Sequence, residues 1–112
     1  MRLKKEDIAG IVEAFEIFFK RYDLSLKKGQ LYLYGSRVDD SKKGGDIDLL
    51  LVVPKNIRGQ VQQKAYQILT LIHEKIGEQK VDILIADQNS RNKDPFFKVI
   101  SDHMLLLKEW QA

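Results

Sequence analysis

Asp46-Ile47-Asp48-Leu49-Leu50-Leu51-Val52-Val53 is the stretch that decides how this chain folds. It opens with two acids at alternate positions, continues through five aliphatic residues in a row and stops at Pro54. A run that is apolar at odd and even positions alike reads as a strand covered on both faces, and proline, with no N–H for the ladder, ends it. Side chains alternate along a strand, so Asp46 and Asp48 leave from one face while Ile47 points to the other. Their Cα atoms would stand about 6.6 Å apart, two rises of ~3.3 Å. Carboxylates that close repel, by about 4 kcal/mol at 4 Å and an effective dielectric of 20. Either water or a cation must offset this, and so apolar a strand favours the cation. An all-oxygen site of this kind suits Mg²⁺.

Working outward, Leu31-Tyr32-Leu33-Tyr34 reads as a short strand ending at Gly35, followed by a polar loop over 36–45. Upstream, Ile8, Ile11, Val12, Phe15, Phe18, Phe19 and Tyr22 share one face of a helix over about 6–22. Downstream, Val61, Ala65, Ile68, Leu69, Ile72 and Ile76 form the stripe of a second helix over about 57–77, with Gly77 as its stop. Val81 to Ala86 predicts a third strand. Asp94-Pro95 then offers an N-cap and a first helical position, and a last helix is expected from there towards Trp110. Its core face would be Phe96, Val99, Ile100, His103, Met104 and Leu107. Leu105, Leu106 and Trp110 fall outside that face, which suggests an oligomer or partner contact through a C-terminal helix. The expected order is α-β-β-α-β-α, an α/β or α+β fold with a small mixed β-sheet covered by helices, in a single domain over 1–112.

Topology adds a third carboxylate. The second strand, second helix and third strand form a β-α-β unit, whose strands are expected to run parallel. Asp82 then begins its strand where Asp46 and Asp48 begin theirs, about 5 Å away across the ladder. Asp87 lies roughly 16 Å further along and is the poorer candidate. If the first strand pairs antiparallel with the second, it ends beside the acids and delivers Gly35 and Ser36 there. Gly35 lets backbone approach a ligand closely. Ser36 and the N–H groups after it can donate to phosphate oxygens, and Arg37 adds a fork of donors.

These residues, Gly35-Ser36-Arg37, Asp46-x-Asp48 opening an apolar strand, and Asp82 on the next strand, resemble the DNA polymerase beta-type nucleotidyltransferase superfamily. The likeness runs over about 31–107, and the chain is most similar to the minimal nucleotidyltransferases, a class often paired as antitoxin with a HEPN-domain toxin. The resemblance implies a polymerase beta-like nucleotidyltransferase fold. It implies that Gly35, Ser36 and Arg37 bind a nucleoside triphosphate such as ATP. Asp46 and Asp48 would hold two Mg²⁺ ions, and Asp82 would complete the metal site or accept the proton of the attacking hydroxyl. It implies transfer of an NMP group, AMP foremost, to a hydroxyl on a partner protein, since the chain is too short for a separate substrate domain. The alternative is a catalytically weak or inactive module that neutralises a partner by contact. Nine residues separate Ser36 from Asp46, one fewer than is common in minimal members, which bears on Arg37 and on the loop lysines Lys42 and Lys43.

Composition sets the outer limits. A chain of 112 residues buries roughly 65% of its unfolded surface, enough for one core. With 44% apolar and 31% charged residues it is neither disordered nor low-complexity. It has no cysteine, so disulfides, thiolate zinc sites and a Cys nucleophile are excluded. No apolar run approaches the ~20 residues of a membrane span, and Glu6 and Asp7 stand where a signal peptide would be apolar. A cytoplasmic protein is expected. A net charge of +3 permits a phosphate-bearing ligand but does not argue for nucleic acid. His73 and His103 have no second ligand at metal spacing, and the 41–45 loop lacks the order of a P-loop.

Overall fold

The computed structural model describes residues 3–24, 28–35, 46–89, 95–100 and 103–111. The decisive stretch forms strand β2 (Ile47–Val53), with β1 (Lys28–Tyr34) on one side and β3 (Val81–Asp87) on the other. A further strand, β4 (Leu105–Gln111), lies beyond β1, so the sheet order is β3-β2-β1-β4. β2 runs antiparallel to β1, with Tyr34 opposite Asp48, and parallel to β3, with Asp48 opposite Asp82. Both pairings follow the sequence reading. They place the end of β1 and the starts of β2 and β3 at one edge of the sheet.

The alternation of β2 divides the molecule into two faces. Ile47, Leu49, Leu51 and Val53 are fully buried with Leu31, Leu33 and Ile85 beneath the helices α1 (Lys5–Arg21), α2 (Lys55–Gln63) and α3 (Ala65–Ile76). α1 contributes Ile11, Ala14, Phe15, Phe18 and Phe19 to this core, and α3 contributes Ile68, Leu71 and Ile72. Leu50 and Val52 point the other way, into a smaller cluster with Ala86, Tyr32, Tyr34, Leu84 and Met104. Phe97, on the short helix α4 (Pro95–Ile100), covers that cluster. A central strand buried on both faces is what its unbroken apolar run requires.

Two expectations are corrected. The helix predicted over 57–77 is two helices, α2 and α3, separated at Lys64. There the Lys64 N–H is shared between the carbonyls of Gln60 and Val61, and the Gln67 N–H donates to Lys64 at 3.0 Å, a tightened i→i+3 turn. Gly77 ends α3 as expected, with φ +84° and its N–H on the His73 carbonyl.

The larger correction concerns the C-terminal segment. The predicted last helix ends at Ile100, and 105–111 is strand β4, paired antiparallel with β1. Among the described residues the order is therefore α-β-β-α-α-β-α-β rather than α-β-β-α-β-α, and the stretch expected to carry an oligomer contact on a helix is a strand. Trp110 lies opposite Gly29, a residue without a side chain, and meets the Phe19 ring edge-on at 5.9 Å between centroids. One of the three residues left over from the helix pattern is thus part of this chain's own core. The pairing with β1 shifts register between Leu31 and Tyr32. Leu105 and Leu106 remain exposed.

Trp110→Ala should lower the free energy of unfolding by about 2–3 kcal/mol, below the full cost of a deeply buried aromatic. Leu106→Ser should stay within about 0.5 kcal/mol of the parent. Urea denaturation checks both; equal effects would mean that β4 does not face the core as described.

Candidate active site at the sheet edge

Strand alternation places Asp48 and Asp82 on the face turned away from α1 and α3, side by side across the β2–β3 ladder. The apolar neighbours set this register: Leu49 pairs with Ile83 and Leu51 with Ile85. Asp48 is half-buried and Asp82 exposed. Asp46 precedes β2, and its Oδ2 lies 3.3 Å from Nζ of Lys80, the residue just before β3. The Ile47 N–H donates to the Lys80 carbonyl at 2.9 Å, so the backbones that carry this ion pair are tied together.

Gly35, the residue after β1, closes the other side. Its φ is +80°, and a Cβ built there would lie 2.6 Å from Asp48 Oδ2. Only glycine lets the turn pass so close to that carboxylate. Ser36 and Arg37, the other two residues expected to meet phosphate, lie outside the described residues, as do Asp39, Asp40, Lys42 and Lys43.

The electrostatics follow from this crowding. The Asp48 carboxyl is pushed above the usual carboxylate range, first by burial, then by the charge of Asp82 and then of Asp46; Lys80 pulls it the other way. The Tyr34 phenol is also pushed up, by burial and then by Asp48 and Asp82, so it stays protonated at neutral pH. Tyr34 had no role assigned from sequence. The signal was present, because antiparallel pairing with Asp48 puts both on one face.

The three predicted acids do not stand as a closed cage. Among the described residues no group of three or more His, Asp or Glu is gathered so as to hold a metal ion. Asp48 and Asp82 form a register pair, while Asp46 leans on Lys80. Asp87, set aside from sequence, is buried at the opposite end of β3 and bound to Arg58 at 3.1 Å. Beside Asp82 opens a depression of about 460 Å³ lined by His73, Glu78, Gln79, Lys80, Val81 and Asp82.

A nucleotidyltransferase domain family matches residues 12–107. The chain belongs to that family, and its general activity is nucleotidyl transfer from a nucleoside triphosphate. It is similar to a crystal structure of a protein from Sulfolobus solfataricus provisionally assigned as a nucleotidyltransferase. The two share 21% identity at a TM-score of 0.49, over 95% of this chain and 89% of that one. No curated protein matches the sequence. Among the described residues no helix is long and apolar enough to cross a membrane.

Because folding raises the Asp48 pKa, ionised Asp48 costs stability at neutral pH, and the cost disappears as pH falls below the carboxylate range. Metal-free Asp48→Asn should therefore melt higher than the parent at pH 7, with the gap closing towards pH 3. A lower Tm at pH 7 would contradict the crowding described. Gly35→Ala should cost about 1–2 kcal/mol for a left-handed backbone and should displace Asp48 as well. Thermal melts and the NMR shifts of Asp48 check these two effects.

Proposed function

We propose that the chain is a Mg²⁺-dependent nucleotidyltransferase that moves an NMP group, AMP foremost, to a hydroxyl on a partner protein, as the antitoxin of a HEPN-type toxin–antitoxin pair. The observation that carries the transfer chemistry is the Asp48–Asp82 register pair with Gly35 against Asp48. The donor set fits a hard divalent cation. It is all oxygen, its carboxylates crowd one another, and the glycine turn leaves the space beside Asp48 that a side chain would fill. Asp46 and Asp48 would hold the metal, and Asp82 would complete its site or accept the hydroxyl proton. Divalent ions, when bound, supply charge to both the attacking and the leaving oxygen. The protein partner and antitoxin role rest on the likeness of the Gly35-Ser36, Asp46-x-Asp48 and Asp82 motifs to minimal nucleotidyltransferases.

In this reading Gly35, Ser36 and Arg37 hold the triphosphate with backbone and side-chain donors. The acceptor oxygen forms a bond to the α-phosphorus and the bond from that phosphorus to the bridging oxygen breaks, releasing pyrophosphate. The hydroxyl proton passes to a carboxylate, Asp82 being the exposed one beside the depression. Positioning supplies much of the rate.

Incubation with α-labelled ATP, Mg²⁺ and the product of the adjacent gene should label that protein. Asp46→Ala and Asp82→Ala, with the circular dichroism spectrum unchanged, should reduce labelling about a hundredfold or more. Unchanged labelling would remove these residues from the reaction. No calorimetric heat with ATP and Mg²⁺, together with a stable complex with the partner, would establish the contact-only module instead.

A further inference from the structure

We propose that Lys80 is a positioning residue that acts as a built-in counter-cation, holding Asp46 until a divalent ion displaces it. The inference deepens the metal-dependent reading above and rests on it. Lys80 Nζ lies 3.3 Å from Asp46 Oδ2, and its backbone carbonyl accepts the Ile47 N–H, so the lysine is anchored one residue from the acid it pairs with. Its charge also reaches Asp48. An ammonium and a metal ion drawn to the same carboxylate repel each other, so the two compete for Asp46.

The surroundings make the exchange feasible. The Lys80 side chain is 74% exposed and that of Asp46 37%, and an exposed pair of this kind is weak. A released ammonium has somewhere to go, because Lys80 also lines the depression that carries the Glu78 and Asp82 carboxylates. Lys80 thus limits repulsion among Asp46, Asp48 and Asp82 in the metal-free chain and withdraws without a large barrier. Its presence sets the metal affinity lower than the carboxylates alone would give.

The test is calorimetric titration of Mn²⁺ into the full chain without nucleotide, comparing the parent, Lys80→Met, Lys80→Arg and, as a control for net charge, Lys108→Met. Lys80→Met should bind Mn²⁺ about two- to fivefold more tightly, the range a surface ion pair spans. Lys80→Arg and Lys108→Met should match the parent. In an Asp46→Asn background the gain from Lys80→Met should vanish, since the pair no longer exists. A parent that binds Mn²⁺ with Lys80→Met equal or weaker, or a gain that persists in Asp46→Asn, overturns the role of Lys80 and leaves the metal-dependent reading standing. Binding seen only after Lys80→Met supports the competition directly. Silence in every variant overturns both.

Discussion

Two carboxylates are held next to each other because the hydrophobic register of two parallel strands allows nothing else. Leu49 and Leu51 of β2 pair with Ile83 and Ile85 of β3, and Leu49, Leu51 and Ile85 are buried beneath the helices. A slip of one residue would turn every one of these side chains to the wrong face, at about 1.5–3 kcal/mol for each aliphatic group exposed. The repulsion between Asp48 and Asp82 is smaller than that sum. The register holds, and the Asp48 carboxyl is pushed up, first by burial and then by that repulsion. The acid pair belongs to the fold before it belongs to any ligand.

The same edge shows how local backbone chemistry sharpens the arrangement. β1 delivers a residue with positive φ against Asp48, and the phenol of the residue before it, Tyr34, is pushed up first by burial and then by the two acids. The residue before β3 supplies a lysine to Asp46. Each of these groups sits at a strand end, where side chains can reach one another without interrupting a ladder. The core on the helix side fixes those ends in place, so the site's geometry depends on Ile47 and its neighbours although none of them faces it.

Much of this could be read from the chain because period-two alternation and the β-α-β handedness rule act on few residues and leave few choices. Asp46-x-Asp48 before five aliphatic residues placed the central strand, and the crossover through α2 and α3 placed Asp82 beside Asp48. The C-terminal segment misled for a physical reason. Met104 and Leu107 continue a helical spacing from Pro95, yet Leu105–Gln111 finds its partner in β1, almost eighty positions earlier, and no local pattern encodes that pairing. The break at Lys64 is likewise a single turn's tightening inside an unbroken apolar stripe. Ser36 and Arg37, expected beside the acids from strand pairing and donor chemistry, lie outside the residues whose placement is described.

The two ends of β3 make the location of chemistry an electrostatic argument. Each carries an aspartate, five positions apart, on one strand. At the far end Asp87 is 4% exposed and meets the Arg58 guanidinium, so its charge is balanced within the chain and breaking the pair would leave a buried ion. At the near end Asp82 faces another acid, and among the described residues neither Asp48 nor Asp82 forms an ion pair. Along β3 the chain thus pairs one aspartate with an opposite charge and, among the described residues, sets the other against a like one. That imbalance is tolerable because the near end is open to water. In the proposed function it is also what would draw a divalent cation to the near end and not to the far one.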